Sequence, residues 1–187
     1  MSKNYADIFI EYFVTYIKRE GADELLAWLK GTDFFTAPAS TRYHRAHEGG
    51  LVEHCVNVFE CLLSRWGETE NKESLAICGL LHDVCKADFY TVAYRNAKNA
   101  DGVWEKVPYY SIDDKMPLGH GEKSLFILER FLRLTISEAL AVRWHMGGFD
   151  EAVRGGSRAI NDAYDNYPLA VKLHIADIEA TYLMEER

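Results

Sequence analysis

The chain has 187 residues, a formal net charge of −8, 48% apolar residues and 27% charged ones. That length suits one domain with a sizeable core, or a domain with a small appended element, and the composition is that of an ordinary soluble globular protein. With no lysine- or arginine-rich run, an extended nucleic-acid surface is not expected, because non-specific affinity for nucleic acid comes mainly from neutralised phosphates.

Along the chain, Met1 to Asp7 lead into apolar residues interrupted by Glu11 and Lys18. There is no basic segment followed by an uninterrupted apolar core, so no signal peptide is expected. No apolar run is long enough to span a bilayer, so no membrane association is expected. Cys55, Cys61, Cys78 and Cys85 lack CxxC spacing and read as reduced thiols of a cytoplasmic protein. Ile8, Ile10, Tyr12, Phe13, Tyr16 and Ile17 fit one helical stripe, and Leu25, Leu26, Trp28 and Leu29 a second. Thr36 to Thr41, with Pro38, reads as a loop. Gly49-Gly50 opens a strong helix through Leu51, Val52, Cys55, Val58, Phe59, Leu62 and Leu63, ending near Trp66-Gly67. Glu73 to about Lys86 predicts another, apolar on nearly all sides at Ile77 to Leu81 and therefore central in the fold.

Phe89 to Tyr94 and Val103 to Tyr110 are rich in β-branched and aromatic residues, and Asn99-Ala100-Asp101-Gly102 between them has turn chemistry. This predicts a small β-hairpin around 89–110, inserted between helices. Its aromatics (Tyr90, Tyr94, Trp104, Tyr109 and Tyr110) could stack on a base or simply form the packing face of a β-element. Helical periodicity returns from Gly121 to about Arg133, from Ile136 to Trp144, and from about Leu169 to Met184. Gly147 to Tyr167 reads as loop with short helices. The class is predominantly helical, all-α apart from the hairpin. We expect one unit over 1–187, with an N-terminal helical extension at 1–40 and a core at 43–179.

Within this apolar frame stand a few polar intrusions. His82-Asp83 lies at the end of the most buried helix, in Leu80-Leu81-His82-Asp83-Val84-Cys85-Lys86. An imidazole and a carboxylate are costly to bury there without partners. His54 lies inside one apolar helix, His145 closes another, and Asp177 follows His174-Ile175-Ala176 in a third. One such histidine is usually a satisfied core residue, but several in one small domain are more economically explained by a shared ion. Imidazole and carboxylate donors suit Mn, Fe, Ni, Zn or Co, and the lack of cysteine among them argues against a structural zinc.

The pattern resembles the HD phosphohydrolase superfamily. Its signature of a histidine, a His-Asp doublet and a distal aspartate is matched by His54, His82, Asp83 and Asp177. Gly49-Gly50-Leu51-Val52-Glu53-His54 is similar to the glycine-glycine entry into the first ligand helix, and Lys86 to the lysine after the doublet. The resemblance runs from about Tyr43 to Glu179 and implies a helical HD-type bundle. Leu118-Gly119-His120-Gly121-Glu122 and Arg143-Trp144-His145-Met146-Gly147 are similar to the two further histidines of many members. The resemblance then implies a two-metal site bridged by Asp83, with His54, His82 and Asp177 on one divalent transition-metal ion and His120 and His145 on the other.

The implied activity is hydrolysis of a phosphoester, in a nucleotide or phosphodiester, by a metal-activated hydroxide. Asp83 would fix the bridge and could take the water proton. Lys86, four residues after His82 and so on the same helical face, would contact the substrate. Arg143 and His47 are further candidate substrate contacts, with Lys123, Arg42 and His44 as lesser ones; Cys85 is read as a buried thiol without a chemical role. The stretches at 49–54 and 145–147 are similar to the 3′→5′ exoribonuclease branch, whose added nucleic-acid-binding domain is not visible here. The Gly-Tyr-Pro motif of cyclic-dinucleotide phosphodiesterases is missing, and Lys86 replaces the glutamate of the single-metal nucleotidases. A nucleotide or other small phosphorylated substrate is expected. A single-metal nucleotidase, a non-catalytic metal- and nucleotide-binding regulatory module and a structural metal domain remain open alternatives.

Overall fold

The computed structural model describes residues 4–42 and 45–185; His44 lies outside them. Helices α1 (Tyr5–Tyr16) and α2 (Ala22–Gly31) are followed by an irregular stretch and then by α3 (Gly50–Trp66) and α4 (Lys72–Leu81). The hairpin strands β1 (Tyr90–Lys98) and β2 (Trp104–Ile112) come next, then α5 (His120–Leu128) and α6 (Ile136–Trp144). Two short helices, α7 (Glu151–Arg154) and α8 (Ala159–Asn166), lead to α9 (Pro168–Glu179). The fold is mostly helical with one two-stranded antiparallel hairpin among the described residues. No helix of the described residues is long and apolar enough to cross a membrane.

The helix starts follow from their residues. Asn71 caps α4 by accepting from the Ser74 N–H at 3.1 Å, and Thr135 and Glu138 form a reciprocal capping box on α6. Pro168 opens α9 at the position where its missing N–H is harmless. A single hydrophobic cluster draws Phe9 and Phe13 from α1, Leu25 and Leu29 from α2, and apolar residues of α3, α4, α6 and α9. The 1–40 segment therefore contributes side chains to the same core as the site-bearing helices.

Helices α3 and α4 approach closely because Gly79 has no side chain. A Cβ there would stand 2.6 Å from Phe59 Cα and 2.9 Å from its Cβ. At the start of α3 a Cβ on Gly50 would meet the Arg45 carbonyl oxygen at 2.0 Å. The glycine pair thus allows the chain to cross itself where α3 begins.

Three helix ends differ from the sequence expectation. The helix expected to reach Lys86 stops at Leu81; Asp83 adopts φ −100° and ψ 17°, and Val84–Lys86 form a 3₁₀ turn. The apolar run continues through Val84 and Cys85, so periodicity does not register the change of backbone. Helix α5 ends at Leu128 rather than near Arg133, with tightened turns at 130 and 131. The last expected helix ends as α at Glu179 and continues as a π turn over Ala180–Met184, with the Glu185 N–H donating to the Ala180 carbonyl at 3.1 Å.

The hairpin pairs Tyr90 with Ile112 through Lys98 with Trp104. Its turn is held by the Asn99 side chain, which accepts from the Asp101 and Val103 N–H groups at 3.0 Å each. Tyr90 anchors its base, its hydroxyl donating to the Ala39 carbonyl at 3.3 Å. The outer part projects from the helices. Tyr94 and Trp104 are each 66% exposed, so they do not form a packing face against the helical body. Trp104 sits under Lys98 and Tyr109 under Arg95 as cation–π pairs.

Candidate metal centre

The centre of the bundle holds the polar intrusions. Helix α3 is buried continuously from Gly50 to Phe59, and His54 within it is 1% exposed. His82 follows the last residue of α4 and His145 the last of α6. At both positions the imidazole Nδ1–H donates back to a carbonyl of the preceding turn, Gly79 at 2.9 Å and Val142 at 2.7 Å. Each bond fixes the tautomer and leaves a bare Nε2 directed inward. His145 Nε2 is buried and has no hydrogen-bond partner.

Asp83 stands in the middle, and its two oxygens face different neighbours. Oδ1 lies 2.6 Å from His120 Nε2 and 3.5 Å from His145 Nε2. Oδ2 lies 3.7 Å from both His54 Nε2 and His82 Nε2, and accepts a bond from Lys86 Nζ at 2.6 Å. His54 Nε2 also stands 3.2 Å from Asp177 Oδ1 and 3.3 Å from His82 Nε2. Ligand atoms of His54, His82 and Asp177 lie within 4.8 Å of one another, as do those of His82, Asp83 and His145, and those of Asp83, Cys85 and His120.

The protonation pattern follows from these contacts. Burial pushes His82 down to about 3, so it is neutral, as a ligand must be. Burial opposes charge on His54 as well, but its hydrogen bonds to Asp177 and Glu185 raise it to about 10. His120 is also raised to about 10, by Cys85 and the Asp83 carboxylate acting against burial. Asp83 and Asp177 are held well below the usual carboxylate range. Burial acts against this, but Lys86 and His82 prevail at Asp83, and the His54 bond prevails at Asp177. Lys86 is raised, because the Asp83 carboxylate outweighs its desolvation. Lys86, His54 and His120 are thus the positively charged neighbours of the Asp83 carboxylate.

The donor set fits divalent ions: imidazoles with bare, inward Nε2 atoms, two ionised carboxylates and one unsatisfied buried nitrogen. The structure brings together His54, His82, Asp83, His120, His145 and Asp177, with Lys86 on the Asp83 carboxylate. Because α4 has ended, Lys86 does not share a helical face with His82; the 3₁₀ turn carries it onto Asp83 instead. Other expected substrate contacts are engaged with acidic side chains. Arg143 is paired with Asp150 at 2.8 Å and with Glu122, and stacks on Trp144. His47 lies against Glu53 at 3.4 Å, with its other nitrogen on the Glu48 carbonyl. Lys123 is bound to Asp114 at 2.6 Å.

One residue at the site, Glu185, escapes sequence reasoning. Glu185 accepts from His54 Nδ1 at 2.9 Å and from Asn57 Nδ2 at 3.1 Å; nothing in a terminal acidic pair marks one member as buried. Cys85, read from the sequence as a buried thiol without a chemical role, touches the His120 ring. His174 donates from Nδ1 to the His145 carbonyl at 2.7 Å and so ties α9 to the end of α6. A cleft of about 610 Å³ opens beside the site, lined by Cys85, Phe89, His120, Lys123, Met146 and Phe149 among others. A second cleft, of about 400 Å³, lies at the α1–α2 corner and contains none of these residues.

No family model matches the chain, and no solved structure matches it. The chain is similar to a dihydroneopterin 2′,3′-cyclic phosphate phosphodiesterase of Methanocaldococcus jannaschii. The two are 29% identical over 84 residues, 41% of this chain and 31% of that protein. The chain thus matches about a third of the length of this curated relative.

Proposed function

We propose that this chain is a metal-dependent phosphohydrolase of the HD type that cleaves a phosphoester in a small substrate, with a phosphodiester favoured over a monoester. The observation that carries the reading is the division of the Asp83 carboxylate, with Oδ2 toward His54 and His82 and Oδ1 toward His120 and His145. His54, His82 and Asp177 would hold one ion, His120 and His145 the other, with Asp83 between them. The partial likeness to a cyclic phosphate phosphodiesterase supports a diester.

Divalent ions bound there would lower the pKa of a water to near neutrality and neutralise phosphoryl charge. The rest falls to the protein. Asp83 is too weak a base to take a proton readily, and serves as the fixed anion that sets the spacing of the two positions. Lys86 Nζ, released from full engagement with Asp83, would neutralise charge developing on a phosphoryl oxygen. Glu185 would keep the proton of His54 on Nδ1 and so hold Nε2 bare for its ligand role. The cleft beside His120 would admit the leaving group.

The test is elemental analysis and turnover on one preparation. Protein stripped with chelator and reloaded with Mn, Fe, Ni, Zn or Co should bind about two ions per chain, falling to about one in His120→Ala. It should hydrolyse bis(p-nitrophenyl) phosphate and a 2′,3′-cyclic nucleotide, and Asp83→Asn should not. Metal bound without turnover would instead favour a non-catalytic metal- and nucleotide-binding module.

A further inference from the structure

One buried nucleophile at the edge of the centre has no part in the reading above. The four cysteines are all free and buried, but they are not alike. Cys55 and Cys78 lie within the helix-packing core, and Cys61 sits against Met184. Cys85 alone stands on the 3₁₀ turn directly after Asp83. Its backbone N–H donates to Ser124 Oγ at 3.3 Å, which pins the turn against α5. Its Sγ is 3.6 Å from both ring nitrogens of His120, and its ligand atom falls within 4.8 Å of those of Asp83 and His120.

A second, independent observation marks the same spot. His145 Nε2 is fully buried with no hydrogen-bond partner, and it lies 3.5 Å from the same Asp83 Oδ1 that His120 approaches at 2.6 Å. An oxygen and two imidazole nitrogens converge there, and the thiol borders the His120 side, where the cleft opens. His54, His82 and Asp177, around Oδ2, present only nitrogen and oxygen.

We propose that Cys85 is a ligand of the second metal position, its thiolate joining Asp83 Oδ1, His120 and His145; this rests on the two-ion reading above. Binding would form a sulfur–metal bond and release the thiol proton to solvent. The two positions then differ in kind. The first takes a nitrogen-and-oxygen ion such as manganese. The second, with a soft donor, selects zinc, cobalt or iron over manganese and magnesium.

Cobalt(II) is the probe. Chelator-treated wild-type protein titrated with cobalt should develop a near-ultraviolet thiolate-to-cobalt charge-transfer band as one of its two ions binds. Cys85→Ser should lose the band and bind that ion at least about tenfold more weakly, the lower bound seen even for groups one shell further from a metal. Thermal melting of Cys85→Ser checks that it folds, and the wild-type spectrum stands as a test without any variant. Two cobalt ions bound with no thiolate band in the wild type would overturn the proposal and leave the two-ion reading intact. So would a band and affinity retained in Cys85→Ser. Failure of the wild type to bind cobalt would overturn both.

Discussion

The Glu138 carboxylate is fully buried on α6, the helix that His145 follows, and its main partner comes from the α1–α2 connection. Arg19 places Nη1 2.8 Å from Oε2 and Nη2 2.9 Å from Oε1, and also reaches Glu73 and the Arg133 carbonyl. Arg19→Ala would leave Glu138 with only Ser74 Oγ at 2.6 Å and the Thr135 N–H at 2.8 Å. Breaking a buried pair from one side costs about 3–5 kcal/mol, and the two surviving donors place this case near 3 kcal/mol. For a chain of this length that is a fall of roughly 6–12 °C in Tm. Burial pushes the Glu138 carboxyl up, but bonds from Arg19, Ser74 and Thr135 bring it below its ordinary value. A depressed carboxyl stabilises the fold above its unfolded pKa, about 4.3, and that contribution is lost as pH falls through the folded value. The variant lacks the depression, so wild type and variant should converge in acid. Urea denaturation near neutral pH and again near pH 3.5 measures both. A loss under about 1 kcal/mol at neutral pH, the size of an exposed pair, or a loss unchanged in acid, would refute the reasoning.

Metal loading should release protons, because His54 and His120 are both raised to about 10 by their acidic neighbours and ligands must be neutral. Each is protonated below that value, so apparent affinity should climb as pH rises toward it; calorimetry in buffers of differing ionisation enthalpy counts the protons, and none released would contradict the site. Gly79→Ala gains about 1 kcal/mol of helix propensity but drives a methyl into Phe59, an overpacking of about 1–3 kcal/mol. We expect a lower Tm and weaker binding at the position shared by His54 and His82, read by melting and metal titration. Trp104→Ala should change stability by no more than about 0.5 kcal/mol and leave KM for a small substrate unchanged. Trp104 lies eight residues up the strand from Ile112, roughly 26 Å away, beyond the reach of one nucleotide held at the base; a raised KM would show that the arm bends back.

What was legible in the sequence was whatever departed from an apolar background. His54 and Asp177 stood out because their sequence neighbours are mostly apolar, and the frame of α3 and α6 followed from periodicity and caps. The hairpin turn was written in Asn99 and Gly102. Backbone changes inside an unbroken apolar run were not legible. The stop at Leu81 lies within such a run, and with it went the true relation of Lys86 to its neighbours, since a 3₁₀ turn and an α-helix point residues differently. The projection of the hairpin was also hidden, because alternation along a strand does not say whether anything lies opposite. That Asp150 and Glu53 fold back onto Arg143 and His47 was likewise not legible.

The π turn at Ala180–Met184 acts on the centre as a phase correction. Asp177 and Glu185 are eight residues apart, and an unbroken α-helix would set them roughly 80° apart around its axis. One π turn accommodates an extra residue, which brings the two carboxylates to within roughly 20° of the same direction. Both therefore meet His54, one at each ring nitrogen. The segment between them should accept changes of side chain more readily than changes of length. Inserting one residue at 181–183 with the π turn kept would turn Glu185 by roughly 100° and take its carboxylate away from His54 Nδ1.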